Sequence, residues 1–316
     1  MQSITRSGWP LAGILLVTLA VGLTADQKQF VGRWNLTSTG DNPAPYWLEV
    51  KEEGGQLTAK FLNRGGHPVP PQNVRLEGDE LIFTVAGGGN QPPAEFRGKV
   101  AGGKLTATVK RGERTVTMTG GHPAPWPASN ANGTHTYGAP VALFDGKSVD
   151  AFRGQNPTQP LNWSVEDGVL TNGEHANNLV SKEKFKDFKL NAEYKVGPST
   201  NSGIYLRGRY ELQVLDDYGK APFERSHMSI YGWKAPAANT SKPVGEWQTV
   251  EAIVVGNRVT VTHNGQRVHD NAVLEAITGG ALDNDELAPG PIMIQGDHTK
   301  VWFRNITITP ITKPGA

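Results

Sequence analysis

The chain has 316 residues, with 31 Lys and Arg against 30 Asp and Glu, so its formal net charge is +1 at neutral pH. The basic residues are scattered singly, which argues against a nucleic-acid-binding protein, because such proteins gather positive charge in a patch or stripe. There are no cysteines, so disulfide bonds, thiol catalysis and thiolate metal sites are excluded. Stability must therefore come from the burial of apolar side chains.

The first 25 residues predict a secretory signal peptide. Arg6 precedes an apolar run from Leu11 to Leu23, and the small residue Ala25 stands where a signal peptidase would cut. The run is too short to span a bilayer as a helix; a retained N-terminal anchor is the alternative. We expect residues 1–25 to be removed, which leaves an exported protein, periplasmic or extracellular, with no membrane span.

Residues 26–121 predict an N-terminal β-domain. Eight short segments of alternating apolar residues are joined by tight turns such as Glu53-Gly54-Gly55, the kind of connection that makes antiparallel hairpins. Because an open meander exposes its edge strands, we expect a small up-and-down β-barrel or a sandwich. Over three residues only, Phe30-Val-Gly-Arg-Trp34 resembles the Gly-x-Trp opening of lipocalin-like barrels.

Residues 122–140 predict a linker, and residues 141–316 predict a second β-domain. The linker is rich in Pro, Gly and Asn and has no hydrophobic periodicity, as is typical of a connecting segment. Beyond it, some ten short strands follow, with Asn264-Gly265 as a strong hairpin signal. We expect a two-sheet jelly roll, which buries one face of each sheet and leaves another free for a site. The fold class is therefore all-β.

Within this second domain, residues 201–216 predict two strands that form the floor of a site. On both sides of the Gly208 break, polar residues alternate with aliphatic ones. Successive side chains of a strand point to opposite faces, so one face would carry an aromatic ring, a guanidinium, a carboxylate and an amide. These side chains are Tyr205, Arg207, Glu211 and Gln213.

A series of short motifs runs through residues 141–310. They are Leu143-Phe-Asp-Gly-Lys-Ser148, Asn162-Trp-Ser-Val-Glu-Asp-Gly-Val-Leu170, Asn201-Ser-Gly-Ile-Tyr-Leu-Arg207, Tyr210-Glu-Leu-Gln-Val-Leu-Asp216, Ser229-Ile-Tyr-Gly232, Gly245-Glu-Trp247, and Gly290-Pro-Ile-Met-Ile-Gln-Gly-Asp-His298 with Phe303-Arg-Asn-Ile306. Together they resemble the 3-keto-disaccharide hydrolase domain family, whose fold is a concanavalin A-like jelly roll. The resemblance implies an enzyme that cleaves glycosides whose sugar carries a ketone at C3.

That ketone changes the chemistry of cleavage. It makes the C2 proton acidic and places the glycosidic oxygen β to the carbonyl, so a base can start an elimination that expels the aglycone, after which water adds back. Such a reaction needs a base, a hydrogen-bond donor at the enolate oxygen and an acid at the leaving oxygen. The strand with Glu211 and Gln213 has no second acid on its polar face, which disfavours the ordinary two-carboxylate glycosidase mechanism.

Three residues are the candidate catalytic groups. His298 is the candidate base or acid, because an imidazole titrates near neutral pH; alternatively it caps the turn at Gly296 and Asp297. Arg207 would bind the enolate oxygen or sugar hydroxyls through its planar fork of donors, or would form an ion pair with Glu211. Glu211 would be the partner acid or base, or would only orient Arg207.

The candidate substrate-binding residues fall into two groups. Hydroxyl-reading side chains are Tyr205, Gln213, Tyr231 and Gln295, and flat surfaces for a sugar ring are Trp163 and Trp233, which core packing would explain equally well. The expected partner is a carbohydrate, either an oxidised glycoside or a glycan. A non-catalytic, lectin-like carbohydrate-binding protein is the alternative to an enzyme, because a fold does not fix a function.

The sequence does not establish a cofactor. The eight histidines show no paired metal-binding spacing, and the loop Asp283-Asn-Asp-Glu286 either holds Ca²⁺ through oxygen ligands or is a solvated loop. A divalent cation beside Glu211 and His298 would stabilise an enolate, so a divalent cation stays an open alternative and the metal ligands are unknown. The sequence gives no signal for the oligomeric state.

Overall fold

The computed structural model describes residues 25–315. The predicted signal peptide, apart from its last residue, lies outside this range. Within the range, one helical turn, α1 (Ala25–Lys28), precedes twenty-two β-strands. A search of the same residues finds no helix with the length and apolar character needed to cross a bilayer.

The first eight strands form one antiparallel sheet that curls into a barrel. They are β1 (Gly32–Ser38), β2 (Pro45–Glu53), β3 (Gln56–Leu62), β4 (Gln72–Glu77), β5 (Glu80–Val85), β6 (Ala94–Ala101), β7 (Lys104–Arg111) and β8 (Arg114–Gly121). Their order, β3-β2-β1-β8-β7-β6-β5-β4, follows the chain around a circle whose two ends are β3 and β4. The barrel closes between these ends at a single bridge, from Phe61 of β3 to Val69, three residues before β4 begins. The prediction of a small up-and-down barrel is confirmed.

The barrel is closed around aromatic side chains. Alternate residues of each strand face inwards, so Trp34, Phe61, Phe83 and Phe96 are all fully buried. The rings of Phe83 and Phe96 stack with centroids 4.1 Å apart. The indole N–H of Trp34 donates to the Phe30 carbonyl at 2.8 Å, which satisfies the one polar group that this side chain takes into the core.

The remaining strands form a two-sheet jelly roll, as predicted. They are β9 (Thr136–Tyr137), β10 (Val141–Phe144), β11 (Phe152–Gly154), β12 (Trp163–Glu166), β13 (Val169–Asn172), β14 (Leu179–Phe185), β15 (Phe188–Val196), β16 (Asn201–Leu206), β17 (Tyr210–Leu215), β18 (Trp247–Val255), β19 (Arg258–His263), β20 (Gln266–Val273), β21 (Gly290–Ile294) and β22 (Val301–Lys313). A nine-stranded sheet has the order β12-β13-β22-β15-β18-β19-β20, with β9 and β10 paired to β22. The other sheet has five strands in the order β11-β14-β21-β16-β17.

The two faces of the five-stranded sheet differ in chemistry. Its inner face contributes Ile204, Leu212 and Ile294 to the core between the two sheets. Because side chains alternate along a strand, Tyr205, Glu211 and Met293 lie on the outer face. This outer face is the floor of the candidate site described below.

Residues 122–140 pack against the jelly roll. The Asn132 side chain donates to Asp270 at 2.7 Å and accepts from Thr260 at 2.6 Å, and β9 pairs with β22. The segment predicted as a linker is therefore held along most of its length by side-chain and strand contacts. The predicted domain boundaries at 121 and 141 stay predictions.

A chain of hydrogen bonds runs through the jelly-roll core around Tyr194. The Leu215 N–H donates to His227 Nδ1 at 2.9 Å, which places the imidazole proton on Nε2, 2.7 Å from the Tyr194 hydroxyl. That hydroxyl lies 2.8 Å from His263 Nε2 and donates to it. Burial lowers the pKa of His227 to about 4 and the pKa of His263 to about 2, so both rings are neutral in the folded protein.

These buried histidines make the free energy of unfolding depend on pH. Their pKa values in the folded state lie below the unfolded value of about 6.5, so below pH 6.5 the unfolded chain binds more protons. We expect the wild type to lose up to about 1.4 kcal/mol per pH unit, between pH 6.5 and 4, relative to the variant His263→Gln. Urea unfolding across this range measures the difference.

An exposed histidine provides the control. The variant His175→Asn should follow the wild-type dependence, because the His175 side chain is exposed. Equal slopes for the wild type and His263→Gln would contradict the assignment of a buried, neutral imidazole at position 263.

Candidate active site

A cavity of about 430 Å³ lies on the outer face of the five-stranded sheet. This volume is in the range of small-molecule sites. Its floor is formed by side chains of β16, β17 and β21 and of the residue that follows β21: Tyr205, Glu211, Gln213, Met293 and Gln295. Four of these five were expected from the sequence to bind or act on substrate.

Glu211 is a buried carboxyl group at the centre of this floor. It lies opposite Tyr205 in the β16–β17 pairing, and its carboxyl group leans over Gly203, where a Cβ atom would stand 2.3 Å from Oε1. Burial raises the pKa of Glu211 to about 8; the neighbouring Tyr205 lowers it, and the charge of Asp297 raises it further. The group is therefore a neutral acid at pH 7.

Asp297 and His298 form a paired acid and imidazole on the loop after β21. Asp297 Oδ1 lies 2.7 Å from His298 Nδ1, and the loop is held by Asn178, whose Oδ1 accepts from the Gly296 and Asp297 N–H groups. The carboxylate of Asp297 raises the pKa of His298 above its ordinary 6.5. Burial alone would raise the pKa of Asp297, but the hydrogen bonds to its carboxylate and the charge of His298 together outweigh burial, and the net shift of the pKa is downward. This pair leaves His298 Nε2 available to exchange a proton.

Polar side chains around the two titratable groups complete the lining. The Gln295 Oε1 atom is buried without a hydrogen-bond partner among the described residues, so it is a free acceptor. The Gln213 side chain is buried and its Oε1 accepts from the Val214 N–H at 2.9 Å. Tyr231 lines the cavity, and burial raises the pKa of its hydroxyl, which remains a donor at neutral pH. The lining therefore offers neutral donors and acceptors that suit sugar hydroxyls.

Arg207 does not reach this cavity. The strand β16 ends at Leu206, and Arg207 begins the turn with a left-handed φ of 56°, so the alternation of faces stops before it. Its fully buried guanidinium lies 5.2 Å from the Trp126 ring and donates to the Gly256 carbonyl. The ion pair with Glu211, which was the alternative role for Arg207, is absent from the described residues, and Arg207 instead contacts Trp126 of the 122–140 segment.

The two predicted tryptophan platforms also lie outside the cavity lining. Trp163 donates to the Asn177 carbonyl at 2.7 Å and packs beneath Gly296. Trp233 donates to the Ile277 carbonyl at 3.0 Å and meets the ring of Trp47 edge-on. Both rings support loops of the site rather than facing its interior, which is the packing alternative that the sequence left open.

Residues 25–315 contain no cluster of three His, Cys, Asp or Glu side chains able to hold a metal ion. In the loop 283–286, the Asp283 carboxylate accepts from Arg209 at 2.5 Å. The Glu286 carboxylate accepts from Tyr210 at 2.7 Å and from Asn35 at 3.0 Å. Two of the three acids that suggested a calcium loop, Asp283 and Glu286, are therefore used in contacts within the protein.

Several lining residues were not singled out from the sequence. Asp297 directly precedes His298, and its position beside a candidate catalytic histidine could have identified it from the sequence. Asn178 and Gln155 come from loops beside β14 and β11, and their amides bond each other at 2.8 Å. Arg64 comes from the barrel, and nothing in its local sequence marks it.

The chain is similar to known carbohydrate-active proteins. It is 26% identical over 223 residues to the 3-keto-disaccharide hydrolase of Bacteroides thetaiotaomicron, covering 53% of this chain and 77% of that protein. Two crystal structures from Parabacteroides distasonis, of proteins provisionally named glycosyl hydrolases, are 28% and 25% identical, with TM-scores of 0.49 and 0.43. The matches cover 60% and 55% of this chain, and 93% and 100% of those chains.

A family model identifies the jelly-roll part. The model of the 3-keto-alpha-glucoside-1,2-lyase-like domain matches residues 139–309, more than half of the chain, and the barrel lies outside the match. The chain therefore belongs to the family of 3-keto-alpha-glucoside-1,2-lyase-like domains.

Proposed function

We propose that this protein cleaves 3-keto-glycosides by removing the C2 proton, eliminating the aglycone and adding water to the product. The family supports glycosides as substrates, and the relative named 3-keto-disaccharide hydrolase supports the oxidised sugar. The observation that carries the proposal is the presence, in one cavity, of a neutral carboxylic acid, Glu211, and an Asp297–His298 pair. Elimination needs such an acid and such a base together.

In the first half of the reaction, His298 Nε2 takes the proton from C2. The electron pair left on carbon delocalises onto the C3 oxygen as an enolate, and neutral donors such as the Tyr231 hydroxyl are available to hydrogen-bond it. The enolate then reforms the ketone and expels the C1 oxygen, which takes the proton of the Glu211 carboxylic acid. The products are a conjugated enone and the free aglycone alcohol.

In the second half, the two groups exchange roles. The Glu211 carboxylate takes a proton from a water molecule as that water adds to C1, and protonated His298 returns a proton to C2. The sum of both halves is hydrolysis, and both groups end as they began. Asp297 keeps the imidazole oriented and stabilises its charged form between the halves.

We also propose that the protein is exported to the periplasm or the extracellular space and that the mature chain begins near Asp26. The support is the pattern of residues 1–25, a basic residue followed by a short apolar run and a small residue. A barrel domain, a connecting segment and a jelly-roll domain are the proposed organisation of the mature chain.

Turnover of an oxidised glycoside tests the reaction class. We expect the protein to release 4-nitrophenol from 4-nitrophenyl 3-keto-glucosides, assayed as both anomers, and not from the corresponding glucosides with a C3 hydroxyl, because only the ketone acidifies C2. Release can be followed by absorbance. If the protein bound glycans saturably but released no 4-nitrophenol from either anomer of the 3-keto-glucoside, the lectin-like alternative would be favoured instead.

The role of Glu211 predicts a pH profile and a dependence on the leaving group. Activity should fall above pH 8 as the acid ionises, and should fall at low pH as His298 becomes protonated. The variant Glu211→Gln should lose about 10²- to 10⁴-fold in kcat with a methyl or sugar aglycone, but much less with 4-nitrophenol, which leaves as a stable anion. The high-pH limb should vanish in this variant.

Glu286→Gln is the matched control for that experiment, because Glu286 is also buried with a raised pKa but lies outside the cavity lining. Its high-pH limb should match the wild type. If Glu211→Gln kept the limb, or lost the same factor with every leaving group, the assignment of Glu211 as the acid would fail.

The role of His298 predicts a signature at C2. A substrate deuterated at C2 should react more slowly than the protiated one, and His298→Ala should abolish both turnover and the exchange of the C2 hydrogen with solvent deuterium measured by NMR. Added imidazole should restore exchange in part, because it can occupy the vacated space. Unchanged exchange in His298→Ala would remove His298 as the base.

A further inference from the structure

The barrel contributes a wall to the candidate active site. Two of its loops line the cavity: residues 43–45, at the start of β2, and residues 64–66, between β3 and β4. The family model covers neither loop. The cavity therefore lies between the barrel and the jelly roll. Its ligand specificity depends on how the barrel is held against the jelly roll and on which side chains these two loops place in the cavity.

The barrel is fixed to the jelly roll through the segment 274–287, which lies between β20 and β21. An apolar cluster packs Trp47 and Leu62 of the barrel against Ala276 and Ile277. Around it, Arg33 forms an ion pair with Glu275 at 2.8 Å. Further along the same segment, Asn284 donates to the Leu36 carbonyl at 2.8 Å. An apolar centre with polar contacts at its rim is the anatomy of a stable interface.

The loop 63–71 is held against the cavity by its backbone. The Gly280 N–H donates to the Arg64 carbonyl at 2.9 Å, and Gly279 approaches Gly66 so closely that a Cβ atom there would stand 2.0 Å from its carbonyl oxygen. The hydroxyl of Tyr205, on the floor, donates to the Gly279 carbonyl at 2.9 Å. Arg64 is therefore placed beside the floor by main-chain contacts, which leaves its side chain uncommitted.

The Arg64 side chain is exposed, and within residues 25–315 it forms no ion pair and no side-chain hydrogen bond. It is also the one Lys or Arg among the described residues that line the cavity. Glu211 is uncharged at neutral pH, and the Asp297 carboxylate is paired with the His298 ring at the other end of the floor. A positive charge without an ion-pair partner at one end of a polar cavity complements a negative group on a ligand.

The position of Arg64 decides which part of the substrate it meets. The His298 loop lies at the start of β16, where the Asn201 N–H donates to Thr299 Oγ1 at 2.6 Å, and the barrel lies at the other end, beside Tyr205. Tyr205 stands four residues after Asn201 along the strand, roughly 13 Å away, and the Glu211 carboxyl leans over Gly203 between them. Along the floor the order is base, acid and Arg64, so the leaving group extends from the acid towards Arg64.

We propose that Arg64 of the barrel is a specificity-determining residue that binds a carboxylate or a similar anionic group on the aglycone. This inference rests on the proposed function for the identity of the aglycone side, but not for the binding of the anion. Arg suits the role because its planar fork pairs with two carboxylate oxygens at once.

Two substrates that differ only in charge test the proposal: 4-carboxyphenyl and 4-carbamoylphenyl 3-keto-glucosides. For Arg64→Ala, kcat/KM on the carboxylate should fall about 10- to 100-fold, mainly through KM, with little change on the carboxamide. Arg64→Lys should recover part of the loss. Arg114→Ala is the matched control, because Arg114 is also an exposed barrel arginine with no ion pair but lies outside the cavity lining.

Binding of the free aglycones separates this proposal from the reaction. Calorimetry with 4-hydroxybenzoate and 4-hydroxybenzamide should show a preference for the anion that disappears in Arg64→Ala and persists in Arg114→Ala. If the wild type binds the anion through Arg64 yet turns over neither glycoside, the proposed function fails and Arg64 remains an anion-binding residue. If Arg64→Ala keeps the wild-type preference in binding and in turnover, the proposal is overturned.

Discussion

The contact between the barrel and the segment 274–287 is the constraint on which the site depends. This one segment packs its apolar residues against the barrel, and its Thr278 side chain accepts from the Glu211 N–H at 3.0 Å. The surface that docks the barrel and the surface that fixes the start of β17 thus belong to the same short stretch of chain. A shift of the barrel would be transmitted to the acid through main-chain and side-chain contacts, without passing through the jelly-roll core.

The chemistry of the site comes from two environments that differ within one cavity. Glu211 stands on a buried strand, where removal from water keeps its proton in place, whereas His298 stands on a half-exposed loop beside a carboxylate that favours its charged form. Both pKa values are raised, so Glu211 keeps a proton that it can give, and the Asp297 carboxylate makes His298 a stronger base. In the proposed reaction the acid lies on a strand and the base on a loop, so the leaving oxygen of the substrate would meet the more rigidly held of the two groups.

The sequence predicted the floor of the site and missed its wall. The period of two along a strand is a local property, which is why Tyr205, Glu211 and Gln213 could be assigned to one face. Arg207 does not lie on that face, because the strand ends one residue earlier and the backbone there is left-handed. The types of the side chains give little indication of where a strand ends. Arg64 meets residues more than 200 positions away, and an exposed arginine in a glycine-rich loop has no periodicity to reveal such a contact. An aromatic side chain indicates burial, but it does not indicate which side of a loop the ring packs against. The sequence therefore could not distinguish a sugar platform from a packing role for Trp163 and Trp233.

The incomplete closure of the barrel bears on how such a site can change. Between β3 and β4 the barrel is closed by a single bridge, from Phe61 of β3 to Val69 of the loop 63–71, and residues 64–66 of the same loop line the cavity. Residues 64–66 lie outside the bridge, so their number or charge can change without breaking a ladder of hydrogen bonds in the barrel. In the proposed reaction, the residue that selects the leaving group therefore belongs to a different part of the chain from the acid and the base, which lie in the jelly roll. Substitutions within residues 64–66 would then change the preferred aglycone while Glu211 and His298 keep their identities.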